Sequence, residues 1–174
     1  MNRFHRKFTL LLLVLIGCLP TFGQTTKKAE NLKDKYQNIE IVSFDIKEDA
    51  KLPVESRDVI MSQVVEELKQ LKKFKQVSNT GETIPQDAGP TVRLSGVITK
   101  YKAGSRAKRY LIGFGAGSTK VVAHITLTDV MSGATLFEKD VDGTVWIGVF
   151  GGDSSGATRG LAKEVAKVTK KALF

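Results

Sequence analysis

Residues 120–130, KVVAHITLTDV, alternate apolar and polar side chains along their length. A period of two is typical of a strand that buries one face and leaves the other in solvent. The DVMSG segment at residues 129–133 then predicts a hairpin turn, with a glycine available for a left-handed position, and a partner strand runs from Thr135 towards Val145. The inward-facing set is Val121, Ala123, Ile125 and Leu127. This hairpin is the predicted centre of the fold.

The segments on either side of the hairpin complete a two-layer domain. Thr91–Tyr101 alternates in the same way, and Asn38–Ile46 (NIEIVSFDI) predicts another strand. Pro53–Phe74 and Ala157–Leu173 instead space their apolar residues at the helical period. The order is β-α-(β)-β-β-β-α, with a short strand expected near Val77. We predict an α+β fold with two layers, a mostly antiparallel sheet carrying two amphipathic helices on one face.

The amino terminus predicts an export signal. Three basic residues precede an apolar run, residues 8–16, that is shorter than the roughly 20 residues of a membrane-spanning helix. Leu15-Ile16-Gly17-Cys18 resembles the lipobox of bacterial lipoproteins, which would make residues 1–17 the signal and Cys18 the lipidated first residue. Ordinary cleavage after Gly23 would instead remove residues 1–23. The position of the single cysteine in the lipobox favours lipidation.

Both cleavage sites predict an exported protein. Leu19 follows the cysteine. In proteobacterial lipoproteins an aspartate at this position is the usual signal for retention in the inner membrane, so a leucine indicates sorting to the outer membrane. The domain would then lie in the periplasm, attached to the membrane by its lipid anchor. Residues 24–37 are expected to form a solvated tether, and residues 38–174 a single α+β domain.

The composition argues against several kinds of site. One cysteine excludes an intramolecular disulfide and a multi-cysteine metal site. His124 lies mid-strand on the polar face. The sequence offers no second histidine or cysteine to complete a metal site with it, and no serine and aspartate in a pattern that would complete a catalytic triad. Asp140 and Asp142 share one strand, whereas the two carboxylates of a catalytic dyad normally come from separate elements. We therefore expect no catalytic residues, no metal and no cofactor, and a protein that is not an enzyme.

Residues 104–120, GSRAKRYLIGFGAGSTK, form the most distinctive segment. Its GxGxG pattern lacks the following helix that a dinucleotide-binding loop requires. Between Asp87 and Asp129 the chain has seven basic residues and no acidic one. The net charge of +9 falls to +6 without the three basic residues of the leader, and the rest of the mature chain contributes −1 in residues 24–87 and zero in residues 129–174. The whole excess charge thus lies in this middle stretch.

Two interpretations of the basic segment stay open. A run of charge is most often a solvated face. The functional interpretation is a loop that contacts lipid headgroups, lipopolysaccharide, glycan carboxylates or an acidic protein. Nucleic acid is not expected, because an exported protein seldom meets it. The candidate binding residues are Arg106, Lys108, Arg109, Gly113, Gly115 and Gly117.

A second candidate segment, residues 146–150 (WIGVF), is apolar. Gly148 lies at its centre, and Gly151 follows it. Packing in the core is its ordinary explanation, and a contact with a protein or a membrane is the alternative. Self-association through this segment would make the chain a homo-oligomeric assembly or secretion subunit, the second functional hypothesis. The residues concerned are Trp146, Ile147, Val149 and Phe150.

From Leu94 to the carboxyl terminus the chain resembles the bacterial family called domain of unknown function 4410. The resemblance rests on Gly96 in LSGVITKY, on Gly104-Ser105, and on Arg109 leading into residues 113–117 (GFGAG); it continues through Ser132-Gly133 to a final helix rich in small residues. Such domains are exported or lipoprotein domains, and they are similar to modules of the curli-secretion lipoprotein and of the Tol translocation protein. The resemblance implies a binding or assembly role in the envelope and supplies no catalytic residue.

Overall fold

The predicted hairpin lies inside a mixed sheet of six strands. The computed structural model describes residues 32–104, 118–145 and 155–174, all of them within one compact unit, Asn31–Phe174. The strands are β1 (Asn38–Ile41), β2 (Asp45–Ile46), β3 (Gln76–Val77), β4 (Thr91–Lys102), β5 (Thr119–Asp129) and β6 (Thr135–Val145). The helices of the described residues are α1 (Val54–Gln70) and α2 (Ser155–Leu173), with short 3-10 turns at Glu48–Ala50 and Gln86–Ala88.

The strand order is β3-β1-β4-β5-β6, and β2 pairs with β4 beyond the end of β1. The two long pairings, β4 with β5 and β5 with β6, are antiparallel. The pairings of β1 with β3, β1 with β4 and β2 with β4 are parallel, because α1 carries the chain back before it returns to the sheet. The prediction of an α+β fold with two helices on a largely antiparallel sheet is confirmed.

The core lies between the sheet and the two helices. All four residues predicted to face inward on β5 are fully buried, as are Val92, Leu94 and Ile98 on β4. The helices cover them with apolar residues at the predicted spacing. These residues are Ile60, Met61, Val64 and Leu68 of α1, and Leu161, Val165 and Val168 of α2. The opposite face of the sheet, which we call the open face, carries the polar side chains.

Two predicted elements are shorter in the structure than in the sequence pattern. The strand expected at residues 38–46 divides into β1 and β2, with the fully buried Phe44 between them. The first helix ends at Gln70 rather than Phe74, because Lys72 adopts a left-handed backbone with φ of 52°. Phe74 then packs edge-to-face on the ring of Phe174 at 5.3 Å.

The folded chain begins before the predicted boundary at residue 38. Tyr36 is only 2% exposed, and the amide of Asp34 donates to the carbonyl of Leu173 at 2.9 Å. The sequence pattern missed these residues because lysines surround the buried tyrosine. We call the end of the domain where residues 32–37 join it the tether end.

Both helices finish at the tether end. α1 begins after β2, which pairs with the second half of β4 at Ile98. It ends before β3, which pairs with the start of β1, so α1 runs towards the tether end. α2 passes Gly143 near the end of β6 and finishes at Leu173. The β5–β6 turn also lies at the tether end, since Tyr36 bonds to Asp129. The end of β4 at Lys102 lies about 35 Å away along the strand, at roughly 3.3 Å per residue.

Candidate functional site

Three lysines converge on the open face at the end of the sheet opposite the tether end. Lys102 of β4 lies directly across from Lys120 of β5, and Lys100 lies across from Val122. All three lysines are exposed. We call this group, Lys100, Lys102 and Lys120, the basic end of the sheet.

A β-bulge in β4 places two of these lysines on the open face. Ile98 pairs with Ala123 and Lys100 with Val122, so that Thr99 is an extra residue. Unbroken alternation would have turned Lys100 inward with Ile98. The bulge turns Tyr101 inward instead, where it packs against the core. The sequence holds the signal for this: the apolar positions switch from even numbers up to Ile98 to the odd position of Tyr101.

The lysines differ in their partners. Lys120 Nζ lies 3.2 Å from Asp142 Oδ2, and the Thr144 hydroxyl donates to the same oxygen at 3.2 Å. Within the described ranges, neither Lys100 nor Lys102 has an ion-pair partner. The open face at this end of the sheet therefore presents two ammonium groups that are unpaired among the described residues, beside a third that is partly neutralised, and these groups can attract an anionic group.

The ends of both candidate segments meet at the basic end of the sheet. The chain leaves β4 at Lys102 and returns at Thr119, where the buried Thr119 hydroxyl accepts a 3.1 Å bond from the amide of Gly104. Thr119 pairs in turn with Val145, the last residue of β6. Residues 105–117 and 146–154 therefore depart from adjacent strand ends.

All of the predicted site residues lie outside the described parts of the chain. They are Cys18, the basic and glycine residues Arg106, Lys108, Arg109, Gly113, Gly115 and Gly117, and the apolar residues Trp146, Ile147, Val149 and Phe150. Their roles stay predictions. The sequence set of binding residues omitted Lys100, Lys102 and Lys120, which strand pairing brings together.

The polar residues weighed as catalytic candidates form surface pairs. His124 Nδ1 lies 2.7 Å from Asp140 Oδ1 on the open face, with 42% of the histidine side chain and 74% of the aspartate side chain exposed. Asp140 and Asp142 share that face, as predicted, and each has its own partner. Within the described ranges, no group of three or more histidine, cysteine or acidic side chains could hold a metal ion. In the same ranges, no helix is long and apolar enough to cross a membrane.

Comparison with known proteins supports the resemblance seen in the sequence. Residues 25–155 match the family described as Domain of unknown function (DUF4410). The chain belongs to the DUF4410 family. A search of curated proteins found no match.

PelC and the hypothetical protein CT253 share the fold of this DUF4410 domain at low sequence identity. PelC from Paraburkholderia phytofirmans, solved as a dodecamer, has a TM-score of 0.55 and 17% identity over 78% of this chain and 88% of PelC. The hypothetical protein CT253 from Chlamydia trachomatis has a TM-score of 0.54 and 8% identity over 79% and 98% of the two chains. Lipoprotein GNA1162 from Neisseria meningitidis has a TM-score of 0.42 and 14% identity over 68% and 86%.

Proposed function

We propose that this DUF4410 protein is an exported, lipid-anchored envelope protein that binds an anionic partner at the basic end of its sheet. The observation that carries the proposal is the strand pairing. Strand pairing places Lys100, Lys102 and Lys120 beside both ends of the segment that holds three further basic residues, Arg106, Lys108 and Arg109. A run of charge that is only solvated does not require basic residues from two strands to lie together.

The local charge balance supports an anionic partner. Asp142 is the carboxylate paired with this group in the described residues, and its ion pair is with Lys120. Residues 103–118 add three basic side chains and no acidic one. A cluster of positive charge raises the local concentration of anions and speeds their association, and salt screens both effects. An acidic protein or a glycan carboxylate fits such a surface.

The anchor is proposed from the leader sequence. The residue before Cys18 is small, and the hydrophobic run before it has the length of a signal peptide. We propose attachment to the outer membrane, with the domain in the periplasm. The intact mass of the mature protein tests this: acylated Cys18 as first residue supports the anchor, and an unmodified chain that begins at Gln24 refutes it.

We also propose that the domain acts by binding and not by catalysis. His124 and Asp140 form a surface pair in which both side chains are well exposed. Catalytic acids and bases generally lie in clefts that shift their proton affinity. The exposure of this pair on the open face is instead typical of a surface ion pair.

Neutralising the charge at the basic end tests the binding proposal. One variant carries Arg106→Gln, Lys108→Gln and Arg109→Gln, and a second carries Lys100→Gln and Lys102→Gln. Both are expected to lose the proteins or glycans that copurify with the wild-type chain from crosslinked cells. The matched control, Lys139→Gln with Lys163→Gln, removes two exposed lysines elsewhere and should keep them. Unchanged copurification in both variants would refute the proposal.

The second candidate function is self-assembly. PelC, whose fold is similar, was solved as a dodecamer, and Trp146, Ile147, Val149 and Phe150 are the apolar residues proposed to mediate contacts between copies. Light scattering coupled to size-exclusion chromatography distinguishes the two candidates. A concentration-dependent oligomer that Trp146→Ser with Phe150→Ser dissociates supports assembly, and a strict monomer at all concentrations excludes it.

A further inference from the structure

Seven lysines from three separate segments gather at the tether end. The amide of Asp34 donates to the carbonyl of Leu173 at 2.9 Å, and the amide of Lys75 donates to the carbonyl of Gln37 at 2.7 Å. These bonds hold the amino-terminal residues beside the ends of both helices. We call the group the tether-end lysines: Lys33, Lys35, Lys72, Lys73, Lys75, Lys170 and Lys171, all of them exposed.

Few acidic groups lie among these lysines. Among the described residues, the carboxylate side chains at this end are Asp34, Asp87 and Asp129. Asp129 is engaged by the Tyr36 hydroxyl and the amide of Ser132. In the described part of this end, lysine side chains therefore outnumber carboxylate side chains by seven to three, and the tether end is a second basic surface, about a strand length from the basic end of the sheet.

Helix electrostatics explain only some of these lysines. Basic side chains stabilise the carboxyl end of a helix, which accounts for Lys170 and Lys171 in the last turn of α2. The other five lysines are outside the helices. Lys35 and Lys73 lie over the rings of Tyr36 and Phe174, at 5.4 and 5.3 Å from the ring centroids. These local contacts do not require lysines from three separate segments to gather at the same end.

We propose that the tether-end lysines dock on the anionic phospholipid headgroups of the membrane in which Cys18 is anchored. This proposal rests on the proposed lipid anchor. Leu32 is 14 residues beyond Cys18, a separation of at most about 50 Å when fully extended. As a flexible chain it spans roughly 20 Å on average. The tether therefore holds this end of the domain, and not the basic end of the sheet, close to the lipid surface.

A basic surface beside a lipid anchor strengthens membrane association. Each lysine near an anionic surface improves binding about fivefold, and the anchor raises the local concentration of the lysines at the membrane. Met131, 80% exposed in the β5–β6 turn at the same end, adds an apolar side chain that can enter the headgroup region. Docked in this way, the domain directs the basic end of its sheet away from the membrane.

Vesicle binding of the full chain with Cys18→Ser tests this docking without any acyl group at residue 18. The probes are vesicles of phosphatidylglycerol mixed with phosphatidylcholine, and vesicles of phosphatidylcholine alone, with co-sedimentation as the readout. The test variant adds Lys72→Gln, Lys170→Gln and Lys171→Gln. The matched control adds Lys51→Gln, Lys139→Gln and Lys163→Gln, which are exposed lysines outside both basic surfaces. Lys51 has the same left-handed backbone as Lys72, with φ of 54° against 52°.

The Cys18→Ser chain should bind the anionic vesicles and not the neutral ones. The test variant should bind them roughly a hundredfold more weakly, at about fivefold for each lysine, and the control should bind like its parent. Circular dichroism checks that all three chains are folded. Equal binding by test and control variants would overturn the proposal. A Cys18→Ser chain that does not bind phosphatidylglycerol vesicles would also overturn it. This holds even if the test variant loses an acidic protein partner in cells, because the tether-end lysines would then bind a protein and not lipid. The mass of the mature protein reports on the anchor independently of this result.

Discussion

The hydroxyl of Tyr36 donates a 2.7 Å hydrogen bond to Oδ2 of Asp129, which joins the first folded residues to the β5–β6 turn. The amide of Ser132 donates to Oδ1 of the same carboxylate at 2.8 Å. The Tyr36 bond first, and the Ser132 amide next, lower the pKa of Asp129 below its ordinary value. The tether end is therefore fixed to the sheet by a charge-assisted bond.

Tyr36→Phe is expected to lower the free energy of unfolding by about 1–2 kcal/mol at neutral pH, because a hydrogen bond to a charged group is lost. A carboxyl group with a lowered pKa in the folded state stabilises the protein above its unfolded pKa, and this stabilisation is lost as the pH falls through the folded value. The difference between Tyr36→Phe and wild type should shrink in that acidic range. Urea unfolding across the pH range measures it, and a difference that stays constant down to strong acid would disprove the charge-assisted bond.

Gly143 of β6 and Gly160 of α2 face each other where the helix crosses the sheet. A Cβ at Gly143 would overlap the carbonyl oxygen of Ala157 and approach the Cα of Leu161 at 2.8 Å, so the helix backbone would have to move. A Cβ at Gly160 would be 3.5 Å from the Cα of Gly143, an ordinary contact. Only the strand glycine is required by the packing.

Gly143→Ala should therefore destabilise the domain by about 2–3 kcal/mol, as overpacking against fixed atoms does. Gly160→Ala should be neutral or stabilising by up to about 1 kcal/mol, since alanine favours a helix over glycine. Thermal and urea unfolding of the two variants test the contrast. Similar losses of stability in both would mean that α2 does not approach β6 in this way.

Glu40 of β1 is a buried carboxylate with three donors. The side chain is 4% exposed. The amide of Ile84 donates to Oε1 at 2.8 Å, and Arg93 donates to Oε2 through Nε at 3.0 Å and Nη2 at 2.9 Å.

Arg93→Met should lower the free energy of unfolding by about 2–3 kcal/mol. This is less than the loss of a fully buried ion pair would cost, because the arginine is 44% exposed to water. Arg57→Met, which breaks the exposed pair with Asp58, should cost under about 0.5 kcal/mol. Equal costs in urea unfolding would show that the Glu40 pair does not hold β1 to β4.

The sequence predicts the centre of the sheet well because β5 keeps one period over many residues. Every second residue from Val121 to Leu127 is apolar, and all these inward positions are buried. The short parallel strands could not be predicted in the same way. β2 and β3 have two residues each, too few for a period, and their partners depend on where α1 returns the chain.

The distribution of charge explains why summing charges along the sequence did not reveal all of the basic surfaces of the folded domain. Residues 24–87 and 129–174 are close to neutral when each segment is summed along the chain. Folding separates the charges within these segments, because acids near the start of α1 and lysines near its end lie a helix length apart. The tether-end lysines arise from this separation and from contacts between distant segments, which no local pattern contains.

In-cell photo-crosslinking from residue 103 tests the central proposal most directly, because it samples what the basic end of the sheet contacts while the protein is in its envelope. A photoreactive amino acid replaces the exposed Ala103, which leaves Lys102 in place, and a second chain carries it at Lys163 as the control. We predict a discrete protein or glycan adduct from residue 103 that Arg106→Gln with Lys108→Gln and Arg109→Gln abolishes, and none from residue 163. The same adducts from both positions, or no adduct from residue 103, would contradict a binding role for this end of the domain.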